Sequence, residues 1–134
     1  MRAFAFICFA AAAPKCWALL DQGSNHPRRL STANFGQLKV TASDAATGDF
    51  FGYSVAIDGD TVVIGAYGAG TGGAVYVLRT SDGGATYAQV AKLTASDGAA
   101  NDEFGISVAI DGDTIVVGAQ HYNNGGSGVV YVFL

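Results

Sequence analysis

Residues 51–67 read FGYSVAIDGDTVVIGAY, and 53 positions later residues 104–120 read FGISVAIDGDTIVVGAQ. Thirteen of the 17 positions are identical, and three of the four differences (Tyr53/Ile106, Val62/Ile115, Ile64/Val117) exchange one bulky apolar side chain for another. The copies therefore share a packing role. The match extends upstream without a gap, KVTASDAATGDFFG (39–52) against KLTASDGAANDEFG (92–105). Downstream, GAGTGGAVYVL (68–78) aligns with HYNNGGSGVVYVFL (121–134) once two extra residues are allowed in the second loop, setting Tyr76 against Tyr131. A period of this size, with its one length change in a Gly-rich loop, marks a repeat architecture in which each unit covers its neighbour's apolar face. The units are 39–91 and 92–134, the second truncated.

Each unit reads as short strands. Tyr53, Val55 and Ile57 alternate with Ser54 and Ala56 up to Asp58-Gly59, a dipeptide suited to a two-residue hairpin turn. Residues 61–66 (TVVIGA) return antiparallel, and their continuous apolar character predicts burial on both faces. A third strand follows over 74–79, and a fourth over 87–95 after the turn Ser81-Asp82-Gly83-Gly84. Nothing shows helical periodicity, so the class is all-β. Four antiparallel strands followed by the same pattern describe β-propeller blades, about two of them, in an incomplete propeller. Gly52, Gly65 and Ala66, with Gly105, Gly118 and Ala119, are expected where backbones crowd, and Phe51 and Phe104 as wedges between blades. The second unit lacks a fourth strand, which residues 35–41 (FGQLKVT) are expected to supply because they resemble 88–94 (AQVAKLT). Two blades still leave two apolar faces open, and self-association through them is expected.

Charge narrows the partners. From Phe35 onward three bases oppose ten acids, a net charge of −7. Such a module repels phosphate backbones and anionic membrane surfaces, so no nucleic-acid partner is expected. The N-terminus carries Arg2 and then an eleven-residue apolar run over 3–13, the length of a signal-peptide core and too short for a membrane span. We place cleavage after Ala18, with Ala13 as the alternative, which makes the mature chain secreted and extracellular, with a polar linker over 19–34. Cys8 and Cys16 both lie in the leader, so neither a disulfide framework nor a cysteine metal site remains.

The residues of both copies resemble FG-GAP repeats, the propeller units of integrin α-subunit headpieces and of many secreted proteins. Phe51-Gly52 and Phe104-Gly105 match the FG element. Gly65-Ala66 and Gly118-Ala119 match the GAP element, with Tyr67 and Gln120 in place of its proline. The resemblance implies an extracellular binding or adhesion module. Its calcium-binding members carry a longer acidic loop after the first strand; here only Asp58-Gly59-Asp60 and Asp111-Gly112-Asp113 remain. A two-residue turn does not wrap an ion that wants about six to eight oxygens, so calcium is disfavoured and no cofactor is expected.

Catalysis finds little support. The histidines are His26 in the linker and His121 in a loop, which make neither a triad nor a zinc site. The carboxylate pairs Asp44/Asp49 and Asp97/Asp102 suit a glycosidase by type. They recur with the blade, however, and so read as turn residues. A non-catalytic module binding a protein or glycan partner is the favoured reading; a fragment of a larger propeller protein, or a glycan-active enzyme on this fold, is the alternative. Because consecutive strands alternate direction, the loops before each first strand (44–49, 97–103) and after each second strand (67–73, 120–128) share one end. The candidate ligand-binding residues there are Tyr67, Asp97, Asp102, His121, Tyr122, Asn123 and Asn124.

Overall fold

The computed structural model describes residues 36–122 and 126–134. The leader, the linker, Phe35, Asn123 and Asn124 lie outside these residues. Seven strands follow in chain order: β1 (Ser54–Asp58), β2 (Thr61–Ala66), β3 (Ala74–Arg79), β4 (Ala88–Leu93), β5 (Phe104–Asp111), β6 (Thr114–Ala119) and β7 (Val129–Phe133). They form an antiparallel sheet in the order β1-β2-β3-β4 and a second in the order β5-β6-β7. These are the two expected blades of an all-β partial propeller, one of four strands and one of three. No described helix is long and apolar enough to cross a membrane.

The expected hairpins form, with the loop one residue later than the Asp58-Gly59 turn read from the sequence. Asp58 pairs with Thr61 and Asp111 with Thr114, which leaves Gly59-Asp60 and Gly112-Asp113 as two-residue loops. Gly59 (φ 53°) and Gly112 (φ 56°) supply the positive angle at the first loop position, where tight hairpins favour glycine. At the β3–β4 turn, Asp82 accepts from the Thr80 and Thr86 hydroxyls and from the Thr86 N–H, which fixes the loop.

Side chains alternate across a strand, and this alternation splits β2 and β3 between two cores. Ile64, Tyr76 and Leu78 lie on one face of the first sheet with Ala42, Ala66, Ala69 and Ala74, flanked by Val40 and Phe51. Val63 and Val75 lie on the other face, fully buried with Phe104, Val117 and Ala119 of the second blade. At about 1.5–3 kcal/mol for each fully buried aliphatic or aromatic side chain, this second core is the joint that holds blade on blade. Phe104 is one of the two wedges foreseen, 1% exposed; Phe51, the other, packs on the Ile64–Tyr76 face, away from the second blade. Backbones approach closely at the joint: a Cβ on Gly65 would sit 2.0 Å from the Gly105 carbonyl oxygen, and one on Gly105 would sit 2.6 Å from that of Ala74.

Two expectations need correction. Residues 36–41 form no strand and pair with no part of β7. Val40 and Ala42 instead pack on the Ile64–Tyr76 face of the first sheet, opposite the face that the second sheet covers, so the first sheet stands between this segment and β7. Their counterparts Leu93 and Ala95 do the same for the second blade. Gly52 is not crowded either: a Cβ there would meet nothing within 4 Å, and its φ of 91° is what calls for glycine.

Candidate functional site

The loops before β1 and β5 are built alike. The Asp49 carboxylate accepts the Ala46 N–H at 2.8 Å, and the Asp102 carboxylate accepts the Ala99 N–H at 2.7 Å. Both are turn residues, as the sequence predicts. Alternate positions then enter the left-handed region: Gly48, Phe50 and Gly52 in the first copy, Asn101, Glu103 and Gly105 in the second. The loops after β2 and β6 are tied to these turns by Gly68 N–H donating to the Asp49 carbonyl and His121 N–H to the Asp102 carbonyl, both at 3.2 Å. The expected sharing of one end is therefore real, and the Asp-Gly hairpins meet at the other, where Gly112 N–H donates to Asp58 Oδ2 at 2.7 Å.

Between these paired loops the two copies present different chemistry. In the first blade the Tyr67 ring stacks on Phe50, centroids 4.8 Å apart and 6° from parallel, and Tyr53 meets it edge-on at 4.7 Å. Phe50 is 56% and Tyr53 59% exposed. A bulky residue at φ 54° is a genuine backbone outlier, and such strain concentrates at functional sites. Here it turns the Phe50 ring onto Tyr67 at the surface. Tyr53 also borders an open hollow of about 700 Å³ whose other walls include Ile106, Gly118, Gln120 and Ser127.

In the second blade two of the three equivalent positions, Glu103 and Gln120, are polar, and the third is Ile106. His121 Nδ1 lies 3.1 Å from Glu103 Oε2, and both oxygens of Asp97 accept tyrosine hydroxyls, Tyr131 on Oδ1 and Tyr122 on Oδ2, each at 2.8 Å. These bonds hold the Asp97 carboxyl below the usual carboxylate range. Burial, and then the bond to Asp97, push the Tyr131 phenol up to about 12. The first blade repeats the device: Asp44 receives Lys92 Nζ at 2.5 Å and the Tyr76 hydroxyl at 2.8 Å, and its carboxyl is likewise lowered, chiefly by Lys92.

Of the candidates read from the sequence, Asp97 and Tyr122 are joined by a hydrogen bond and His121 is tied to the Asp102 turn in the second blade, while Tyr67 stands apart from them in the first blade's aromatic cluster. Asp102 is 1% exposed and shapes its loop from within. Sequence reasoning missed Phe50 and Tyr53. Their signal was in the alignment, where Phe50, Tyr53 and Tyr67 are aromatic in the first copy and Glu103, Ile106 and Gln120 replace them in the second. Among the described residues, no group of three or more His, Asp, Glu or Cys gathers as a metal site. The arrangement offers a flat aromatic surface beside hydrogen-bonding groups, which suits the apolar face of a sugar or a peptide side chain.

The family model described as FG-GAP repeat matches this chain twice, over residues 35–78 and 87–133. A search of curated proteins finds no match.

Proposed function

The chain belongs to the FG-GAP repeat family, and from that premise we propose that it is a secreted or cell-surface, non-catalytic module that binds a protein or glycan partner through the loop end of its blades. The observation that carries this reading is the exposed Phe50–Tyr67–Tyr53 cluster on strained backbone. Stacked rings with one free face favour a saccharide, whose C–H groups lie against an aromatic plane while its hydroxyls find the neighbouring amide, phenol and carboxylate groups. Two features support the extracellular assignment: the eleven-residue apolar leader core, and a repeat region without cysteine. The non-catalytic assignment rests on the carboxylates. They recur with the blade, and Asp44, Asp49, Asp97 and Asp102 are each committed to a hydrogen bond within the fold.

The test is a glycan array probed with secreted, labelled protein, in parallel with two variants: Tyr67→Ala, and a loop swap giving residues 121–124 the first copy's GAGT. Binding lost in either variant, with the melting temperature nearly unchanged, supports the loop end. Binding that survives both variants but fails when Asp58 and Asp111 are changed assigns the wrong end. Turnover of a bound glycan removes the non-catalytic reading.

A further inference from the structure

The joint between the blades is made of two unlike halves, and each half occurs a second time, uncovered. On the first sheet the covered half consists of Val63, Val75 and Val77, at 0%, 0% and 7% exposure. Its repeat on the second sheet is Val116, Val130 and Val132, paired across β6 and β7 in the same register, with Val130 62% and Val132 60% exposed. The covering half consists of Phe104, Val108 and Ile110, packed into the joint. Its repeat is Phe51, Val55 and Ile57, and the last two are each 64% exposed.

The polar contacts recur in the same way. Ser54 Oγ donates to the Gly105 carbonyl at 2.7 Å, and Gly112 N–H donates to Asp58. The repeat-equivalent donor Ser107 and acceptor Asp111 are exposed on the second blade. The groups that would answer them, the Gly52 carbonyl and the Gly59 N–H, stand at the open face of the first, where a Cβ on either glycine would meet nothing within 4 Å. Gly118, which repeats the crowded Gly65, is approached among the described residues only by its own blade's Ser107.

We propose that a second copy of this chain seats its first-blade face on the second-blade face of the first, repeating the internal joint head to tail. In trans, Ser107 donates to the Gly52 carbonyl, Asp111 accepts the Gly59 N–H, and the Val116/Val130/Val132 ridge is covered by Phe51, Val55 and Ile57. The contact is heterologous, so it propagates until a ring closes. Two-blade units close propellers of about four, six or eight blades, that is, two, three or four copies. Apolar burial drives it against the like charge of the repeats, so added salt strengthens it.

The experiment is light scattering on the full chain, alone and as two face variants whose folding is checked by circular dichroism. One carries Val130→Asp and Val132→Asp, the other Val55→Asp and Ile57→Asp, all at exposed positions. Ser107→Arg and Val55→Asp alone serve as milder blocks of the two faces. The expected result is a wild-type assembly of a few copies, each variant monomeric by itself, and a complex of two chains when the two variants are mixed, because each retains the half the other lacks. A monomeric wild type overturns the proposal. So does a variant that assembles by itself, which would mean a face-to-face contact, or a mixture that forms no complex.

Discussion

The hydroxyl of Tyr131 donates to Oδ1 of Asp97 across 2.8 Å, and the hydroxyl of Tyr76 makes the same bond to Asp44 in the first blade. Each bond pins the tyrosine of a unit's third strand to the loop that precedes the first strand of the same unit. The carboxyls of Asp44 and Asp97 are lowered in the fold. Their contribution is therefore present above the unfolded carboxyl pKa of about 4 and is lost as pH falls through the lower folded value. Tyr131 is raised to about 12, so its contribution is present below the unfolded phenol pKa of about 10 and is lost as pH rises towards the folded one. We expect Tyr131→Phe to lower the melting temperature at neutral pH, and the gap from wild type to narrow at both extremes. A gap that stays constant from acid to alkali would show that the hydroxyl contributes only by its volume.

Gly65 and Gly118 occupy the same place in the repeat but not in the molecule. A Cβ on Gly65 meets the Gly105 carbonyl at 2.0 Å and Ser54 Oγ at 2.2 Å, whereas one on Gly118 meets, among the described residues, the Ser107 side chain alone, nearest at Oγ, 2.4 Å. Backbone cannot step aside; a serine rotamer can. Gly65→Ala should cost at least the ~1–3 kcal/mol of an overpacked core, which for a domain of this size is a fall of about 4–8 °C per kcal/mol. Gly118→Ala should leave the melting temperature of the single chain almost unchanged. Thermal melts of the two, made at a concentration where the chain is monomeric, decide, and equal losses would mean that the blades do not meet at Gly65 and Gly105.

The repeat made β2 and β3 legible to the residue, because apolar runs occurring twice at one spacing leave little freedom in their ends. The hairpins followed from Asp-Gly for the same reason. The segment 36–41 was misread although its likeness to residues 89–94 is real. That likeness reports that Val40 and Ala42 cover a blade face as Leu93 and Ala95 do; it does not report which strand edge, if any, the segment joins. Phe50 was invisible as a site residue because its role depends on a left-handed backbone angle. No local pattern predicts that angle for a phenylalanine beside another phenylalanine. Asp102 was legible as a turn former and misread as a ligand group, since sequence gives residue type but not the direction in which a carboxylate points.

Calcium should do little. The ion takes about six to eight oxygens, while the hairpin loops hold two residues each and Asp58 is already occupied by the Gly112 N–H. Melting curves in calcium and in chelator should coincide. A rise of several degrees with calcium would mean that the hairpin carboxylates of both blades turn to share an ion.

Phe50 joins the fold and the proposed binding surface most directly. Its ring gains an aromatic stack on Tyr67, worth about 0.5–1.5 kcal/mol beyond area burial, while its left-handed backbone costs roughly 1–2 kcal/mol relative to glycine. The two nearly offset. Phe50→Gly should therefore leave the melting temperature within a few degrees of wild type, or raise it slightly, while removing the exposed ring that a saccharide or apolar side chain would lie against. Phe50→Glu, which installs the second copy's residue, should also fold, since Glu103 adopts φ 60° at the equivalent position. Both variants should lose binding to a ligand recognised by wild type, and Tyr67→Ala should lose it with them. If Phe50→Gly binds as well as wild type, the aromatic cluster is only a cover for the loop. The second blade's His121–Glu103 and Tyr122–Asp97 contacts would then be the place to look.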